Sequence, residues 1–108
     1  MGKRMKGYQL EFFTQQDLFH NGKHLSDWLV ETARSHGIRG ATVFMGTTGF
    51  GRDHRLPSTQ LFNLIDHPIQ ITMIVNDDEC ERLLALLRAE KLHLFYVKLA
   101  VEFGTVGD

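Results

Sequence analysis

The residues best suited to bind a ligand are clustered between positions 46 and 55. Gly46, Gly49 and Gly51 allow the backbone to approach a bound group closely. Hydroxyl and guanidinium groups follow within a few residues, at Thr47, Thr48, Arg52 and Arg55. Backbone N–H groups beside arginines are well suited to hold an anion. The spacing alone fits two interpretations, a mobile loop or tight hairpin and an anion-binding loop.

Known nucleotide fingerprints do not explain this segment. The stretch "GTTGFG" lacks the lysine of a P-loop, and it does not have the GxGxxG spacing between a strand and a helix. The ligand class predicted from these residues is therefore broad: a phosphate-bearing or otherwise anionic small molecule.

Histidines offer a possible metal site. His20 and His24 are four residues apart, but the Asn-Gly pair between them predicts a turn rather than the helix that would align their rings. We interpret both as solvated loop residues and predict no metal site. A metal-handling protein, with His54 as a further ligand, remains the alternative.

Catalytic groups with a recognisable spacing are not evident in the sequence. Cys80 falls on the apolar stripe of a predicted helix and has no base near it in sequence, so we interpret it as a core residue. An enzyme acting on a phosphorylated substrate would need a general base that the sequence does not identify. We therefore predict a protein that is not an enzyme.

Composition excludes several other classes. With 108 residues, 43% of them hydrophobic and 23% charged, the chain is expected to form one globular domain. A net charge of −1 argues against a dedicated nucleic-acid binder. Apolar runs are too short to insert in a membrane, and the single cysteine suits a reducing compartment, so we expect a cytoplasmic protein.

The elements that must position the glycine-rich segment follow from hydrophobic periodicity. Strands are predicted at 8–14, 41–45, 68–75 and 92–103, with a weaker strand or hairpin arm near 59–65. One helix begins at Leu25 and ends before Gly37, and a second is capped by Asn76 with Glu79 as its capping-box partner. The order β-α-β-β-α-β predicts an α+β, ferredoxin-like fold: an antiparallel sheet with two helices on one face. We predict a single domain over 1–108, with a flexible tail at 1–7, a glycine-rich loop at 46–57 and a loose end at 104–108.

Both faces of the predicted sheet are apolar, whereas a monomer needs only one such face. We predict that the helices cover one side of the last strand, with the residues Phe95, Val97, Leu99, Val101 and Phe103. The other side is then expected to carry Phe13, Phe44, Ile74, Leu94 and Tyr96. This predicts a subunit interface or a ligand floor; the alternative is a hairpin at 58–66 folded over that side.

Three stretches resemble a known family over about residues 8–102. "GATVFMGTTGFG" followed by Arg55, "GKHL" before the first helix and "PIQITMIV" before the second are similar to PII-like proteins of the domain-of-unknown-function family 190. The resemblance implies a ferredoxin-like subunit of the nitrogen regulatory PII superfamily. It also implies a homotrimer with its sheets facing inward, clefts between subunits that bind an adenine nucleotide or another small effector, and a loop that contacts a target protein.

The combined hypothesis is a regulatory, non-enzymatic protein. Its ligand would be bound by Thr47, Thr48, Gly49, Gly51, Arg52, Arg55 and, from the sheet, Lys98. Its partner would be an unidentified enzyme or transporter. One departure concerns phosphate binding: PII proteins proper have a glycine-rich loop before the last strand, whereas residues 89–95 contain no glycine. A structural interaction module without a small ligand is the remaining alternative.

Overall fold

The computed structural model describes residues 4–50 and 64–107, with only the backbone described for Thr48, Phe50 and 64–66. In chain order the strands are β1 (Arg4–Gln15), β2 (Phe19–His20), β3 (Lys23–His24), β4 (Thr42–Met45), β5 (Thr48–Phe50), β6 (Leu64–Asp66), β7 (Pro68–Asn76) and β8 (Phe95–Gly104). The helices are α1 (Leu25–Ser35) and α2 (Asp77–Ala89).

Four of the strands form one antiparallel sheet in the order β4-β7-β1-β8. β4 and β8 are therefore the two edges, and the longest pairings involve the central strands β1 and β7. Both helices pack on the same face of this sheet, α2 against β1 and β7 and α1 against β1. The predicted ferredoxin-like α+β fold is confirmed.

Short strands form two separate hairpins. β2 and β3 are joined by Asn21 and Gly22, both with positive φ (51° and 79°), the conformation that an Asn-Gly hairpin turn requires. β5 pairs with β6. Thus residues 48–50, assigned to a loop in the sequence analysis, form a strand, and residues 4–7, assigned to a tail, form the start of β1.

Local capping signals fix the end of α1 and the start of α2 as predicted. Gly37 follows α1 with φ +87°, and the Ile38 N–H donates to the Ala33 carbonyl oxygen. At the start of α2 the Glu79 N–H donates to Asn76 Oδ1 and the Asn76 N–H donates to Glu79 Oε1, each at 2.8 Å. In the part of the chain that the structure describes, neither helix is long and apolar enough to span a membrane.

The hydrophobic core lies between the helices and the central strands. Its fully buried side chains include Leu10 and Phe12 of β1, Ile71 of β7, Leu29 of α1 and Leu83 of α2. Cys80 is buried in the same core. Burial, by removing the thiolate from water, raises the pKa of the Cys80 thiol. The interpretation of Cys80 as a core residue is confirmed.

The register of β8 corrects one prediction. Leu10 pairs with Lys98 and Phe12 pairs with Tyr96, so Tyr96 and Lys98 lie on the helix side of the sheet. The stripe from Phe95 to Phe103 lies on the opposite side, and the prediction that it faces the helices is wrong. The physical reason is that β8 is an edge strand beyond the region where the helices chiefly pack, so its helix side need not be apolar.

A close backbone approach fixes the beginning of β1. A Cβ atom at Gly7 would collide with the Val75 carbonyl oxygen and would lie 2.9 Å from the Phe103 ring. Only glycine fits there, because β1 and β7 run close together under that ring.

Candidate functional site

The face of the sheet that points away from the helices, called the open face below, is rich in apolar side chains. Its exposed members are Phe13, Phe44, Ile74, Phe95 and Leu99. Phe44 is 56% exposed and Phe95 is 54% exposed. Burying a fully exposed phenylalanine is worth about 2–3 kcal/mol, so covering the exposed half of one of these rings is worth about 1–1.5 kcal/mol. The described part of the chain does not cover these rings, so this stabilisation is absent in a single copy of it.

The prediction of a second apolar face is therefore confirmed, with a change in its members. Phe13, Phe44 and Ile74 lie where they were expected. Leu94 was assigned to this face wrongly, because it precedes β8 and packs against the core. Tyr96 was also assigned wrongly, and its ring lies 6.2 Å from the buried Phe12 ring.

One end of the open face is the base of the glycine-rich segment. The Gly46 N–H donates to the Pro68 carbonyl oxygen at 2.7 Å, and the His67 N–H donates to the Thr47 carbonyl oxygen at 3.4 Å. A Cβ at Gly46 would lie 3.0 Å from Pro68 Cγ, and one at Gly49 would lie 3.5 Å from it. The first residues of the segment are thus held against the beginning of β7.

The predicted ligand-binding residues of this segment fall partly within the described residues. Thr47 is exposed, and Thr48 and Gly49 belong to β5, where Gly49 pairs with Ile65. Gly51, Arg52 and Arg55 lie outside the described residues, so their role in anion binding stays a prediction.

Lys98 lies on a different edge of the sheet from this segment. Its Nζ is 4.1 Å from the centre of the Tyr8 ring, on the helix side of β8. The segment follows β4, and three strand spacings of about 4.8 Å separate β4 from β8, about 14 Å in all. Within one chain, Lys98 is therefore not brought close to the described start of the glycine-rich segment.

The other end of the open face contains a groove of about 580 Å³. Its lining includes Arg39, which precedes β4, with Thr42, Thr72 and Phe103 from three strands of the sheet. The Arg39 guanidinium lies 5.9 Å from the centre of the Phe103 ring and 3.8 Å from Glu79 Oε1. Sequence reasoning missed this groove; the one local signal was an arginine between a helix end and a strand.

The histidines considered as metal ligands have separate partners. His20 Nε2 lies 2.8 Å from Glu90 Oε1, and the His20 ring meets Trp28 edge-on at 4.5 Å. His24 Nδ1 lies 2.7 Å from the Gln16 carbonyl oxygen. Over residues 4–50 and 64–107, no three potential ligands from histidine, cysteine and the acids form a metal-binding group. His54 lies outside the described residues.

Solved structures with the same fold extend over nearly the whole chain. The apo form of CPII, a nitrogen regulatory PII-like protein from Thiomonas intermedia K12, matches with a TM-score of 0.65 and 17% identity, covering 98% of this chain and 100% of that one. CPII bound to ADP, AMP and bicarbonate matches with a TM-score of 0.62 and 14% identity, covering 98% and 99%. These matches establish a PII-like fold.

Sequence comparisons agree with the fold. A curated relative, the UPF0166 protein of Aquifex aeolicus (strain VF5), is 29% identical over 82 residues, which are 75% of this chain and 78% of the relative. The family model DUF190, described as "Uncharacterized ACR", matches residues 7–97. The resemblance stated in the sequence analysis is confirmed, and the chain belongs to the DUF190 family.

Proposed function

We propose that this chain is a non-enzymatic regulatory protein of the PII-like kind. It binds an anionic small molecule at clefts between subunits and contacts a partner protein through the 46–57 loop. The observation that carries this proposal is the apolar open face on a PII-like fold, since such a face needs another molecule to cover it.

The first part of the proposal is self-association as a homotrimer. Each copy offers an open face with exposed aromatic rings, and Phe13 and Phe95 already contact each other there with ring centres 5.6 Å apart. Rings of this kind are typical of the buried centre of a subunit interface. Facing sheets would remove Phe44 and Phe95 from water without any change in the subunit fold.

The second part is a binding cleft built from two copies. The glycine-rich loop follows the β4 edge, whereas Lys98 lies on the β8 edge about 14 Å away. If the β4 edge of one copy approaches the β8 edge of its neighbour, Lys98 can join Thr47, Arg52 and Arg55 at one ligand. Each cleft would then be incomplete in a single chain.

Adenine nucleotides are the first candidates for the ligand. CPII, which has the same fold, has been solved with ADP, AMP and bicarbonate. Arginines and a lysine supply the positive charge that phosphate oxygens need. Residues 89–95 lack glycine, so the phosphate contacts would have to come from the 46–57 loop.

Ligand binding would act by selecting one conformation of the loop. The loop starts from a fixed base, because the Pro68 ring packs against Gly46 and the Gly46 N–H is bonded to the Pro68 carbonyl oxygen. A ligand that binds one loop conformation better by a few kcal/mol shifts the population toward it. A partner that recognises that conformation would then sense the ligand.

The experiment combines light scattering with a thermal-shift screen of nucleotides. We expect a trimer at micromolar concentration, and stabilisation by a nucleotide that Arg52→Ala and Arg55→Ala each reduce. Arg34→Ala is the matched control, because it removes the same charge from the last turn of α1. A monomer would contradict the proposed assembly, and full stabilisation of both loop variants would contradict the assigned role of the loop.

A further inference from the structure

The open face carries a single charged group near its middle. Among the described side chains of β1, β4, β7 and β8 that point away from the helices, Glu11 of β1 is the one that is charged. Arg39 reaches the rim of this face beside the Phe103 ring, but it precedes β4. The other charged residues of these strands alternate onto the helix side: Arg4, Lys6, Lys98 and Glu102. A charge among apolar side chains is costly to bury unless it is paired.

Glu11 lies on an interior strand, next to Thr72 of β7 and Val97 of β8 in the register of the sheet. Its side chain is partly buried, and its Oε2 accepts a hydrogen bond from Gln9 Nε2 at 2.8 Å. No lysine, arginine or histidine of residues 4–50 and 64–107 forms an ion pair with it. In a single copy the carboxylate is therefore stabilised by one amide and by solvent.

Assembly through the open face would remove that solvent. Phe13 lies two residues along the same strand and Leu99 lies diagonally across on β8, and both are among the exposed apolar residues proposed to be covered. In a closed symmetric assembly the middle of every open face points toward the same axis, so Glu11 of each copy approaches that of the others. Exclusion of water and the approach of like charges both favour the neutral form of a carboxyl group.

We infer that Glu11 links assembly to protons: the subunits associate more tightly when this carboxyl group is protonated, an inference that rests on the proposed homotrimer. The assembled state then binds more protons than the separate subunits, so association strengthens as the pH falls and weakens as it rises. Gln9 suits both forms, because its amide N–H donates to the carboxylate and its carbonyl oxygen accepts from the protonated group. Arg39, at the rim, is a cation at every pH of the test and cannot cause the change.

The test measures self-association by sedimentation velocity over a range of concentrations, with EDTA present and the ionic strength fixed. The wild-type protein is expected to associate at least about fivefold more tightly at about pH 5.5 than at about pH 8. Glu11→Gln, which keeps the shape of the side chain, should associate about tenfold more tightly than the wild type at the higher pH and lose most of the pH dependence. Glu81→Gln, the same change at an exposed position of α2, is the control and should behave like the wild type.

Proton exchange gives a second measurement, which needs the wild-type protein alone. Calorimetric dilution of the assembly, in two buffers with different ionisation enthalpies, counts the protons exchanged on dissociation. We expect release of up to about one proton per subunit near neutral pH, and none from Glu11→Gln. A purely structural role for Glu11 would change the association constant without this exchange. The count also decides the question should Glu11→Gln fail to fold.

Failure of the inference and failure of the proposed function give different results. If the wild type stays monomeric at both pH values and at every concentration, the proposed homotrimer and the proton link both fall. If it assembles equally well at both pH values and exchanges no protons, the proposed function stands and the role of Glu11 falls. A pH dependence retained in full by Glu11→Gln would also overturn that role, because the protons would then bind to another group.

Discussion

The two faces of the sheet are built by the same strands, yet their apolar side chains differ in how far they are buried. On the helix side, Leu10 and Ile71 are completely buried by side chains of the same chain. On the open face, Phe44 and Phe95 remain more than half exposed, although phenylalanine is at least as hydrophobic as leucine. Within residues 4–50 and 64–107, the helix side of the sheet is covered by the same chain, whereas the apolar side chains of the open face stay partly exposed.

The largest expected effect on stability comes from removing a buried side chain on the helix side of the sheet. Leu10→Ala should lower the free energy of unfolding by about 2–5 kcal/mol, since it leaves a cavity among residues that are already close-packed. Urea denaturation measures the loss, which should not depend on protein concentration. Leu99→Ala, the same substitution on the open face, is the control. It should lower the free energy of unfolding of a dilute, dissociated subunit much less. Equal losses in dilute protein would show that the two faces do not differ.

A smaller, concentration-dependent effect is expected on the open face. Phe44→Asp places a charge where copies are proposed to meet, and should weaken self-association about tenfold or more, because that charge must be desolvated on assembly. The neighbouring Val43 lies on the helix side of the same strand and is 49% exposed. Val43→Asp is therefore the control, and it should leave self-association nearly unchanged. Sedimentation velocity over a range of concentrations distinguishes them. The interface would be excluded from the open face if both variants sedimented like the wild type.

The smallest expected effect on stability comes from a change at the start of α2, which alters neither face of the sheet. Asn76→Ala removes the side chain that caps α2 and should lower the free energy of unfolding by about 1 kcal/mol. Asn76→Asp keeps a capping oxygen and should restore most of it. Neither variant should alter the oligomeric state. A cap variant that dissociated the protein would mean that the start of α2, and not the open face alone, supports assembly.

Features that depend on neighbouring residues were predictable from the sequence. The capping box needs only Asn76 and Glu79, three positions apart, and the end of α1 needs only Gly37. The order of elements and the family resemblance then led to the correct fold. The hydrophobic alternation of β1 and β7 also predicted correctly which of their side chains face the helices, because both strands lie under the helices.

Features that depend on distant residues were not predictable in the same way. Alternation in β8 shows that one side is apolar, but the pairing of Leu10 with Lys98 decides which side that is. The groove is formed by Arg39 and Phe103, which are 64 positions apart in the chain, and no local pattern joins them. The 51–57 part of the candidate site lies outside the described residues and stays a prediction from residue types.

The lone thiol of the chain has a practical consequence. Cys80 is the single cysteine, it is buried, and its pKa is raised, so alkylating reagents should reach it only when the helix that carries it separates from the sheet. The rate of thiol trapping in native buffer then reports the opening of the core. Measured with and without an added effector, this rate would show whether binding tightens the subunit as a whole, with no fluorescent label or engineered probe.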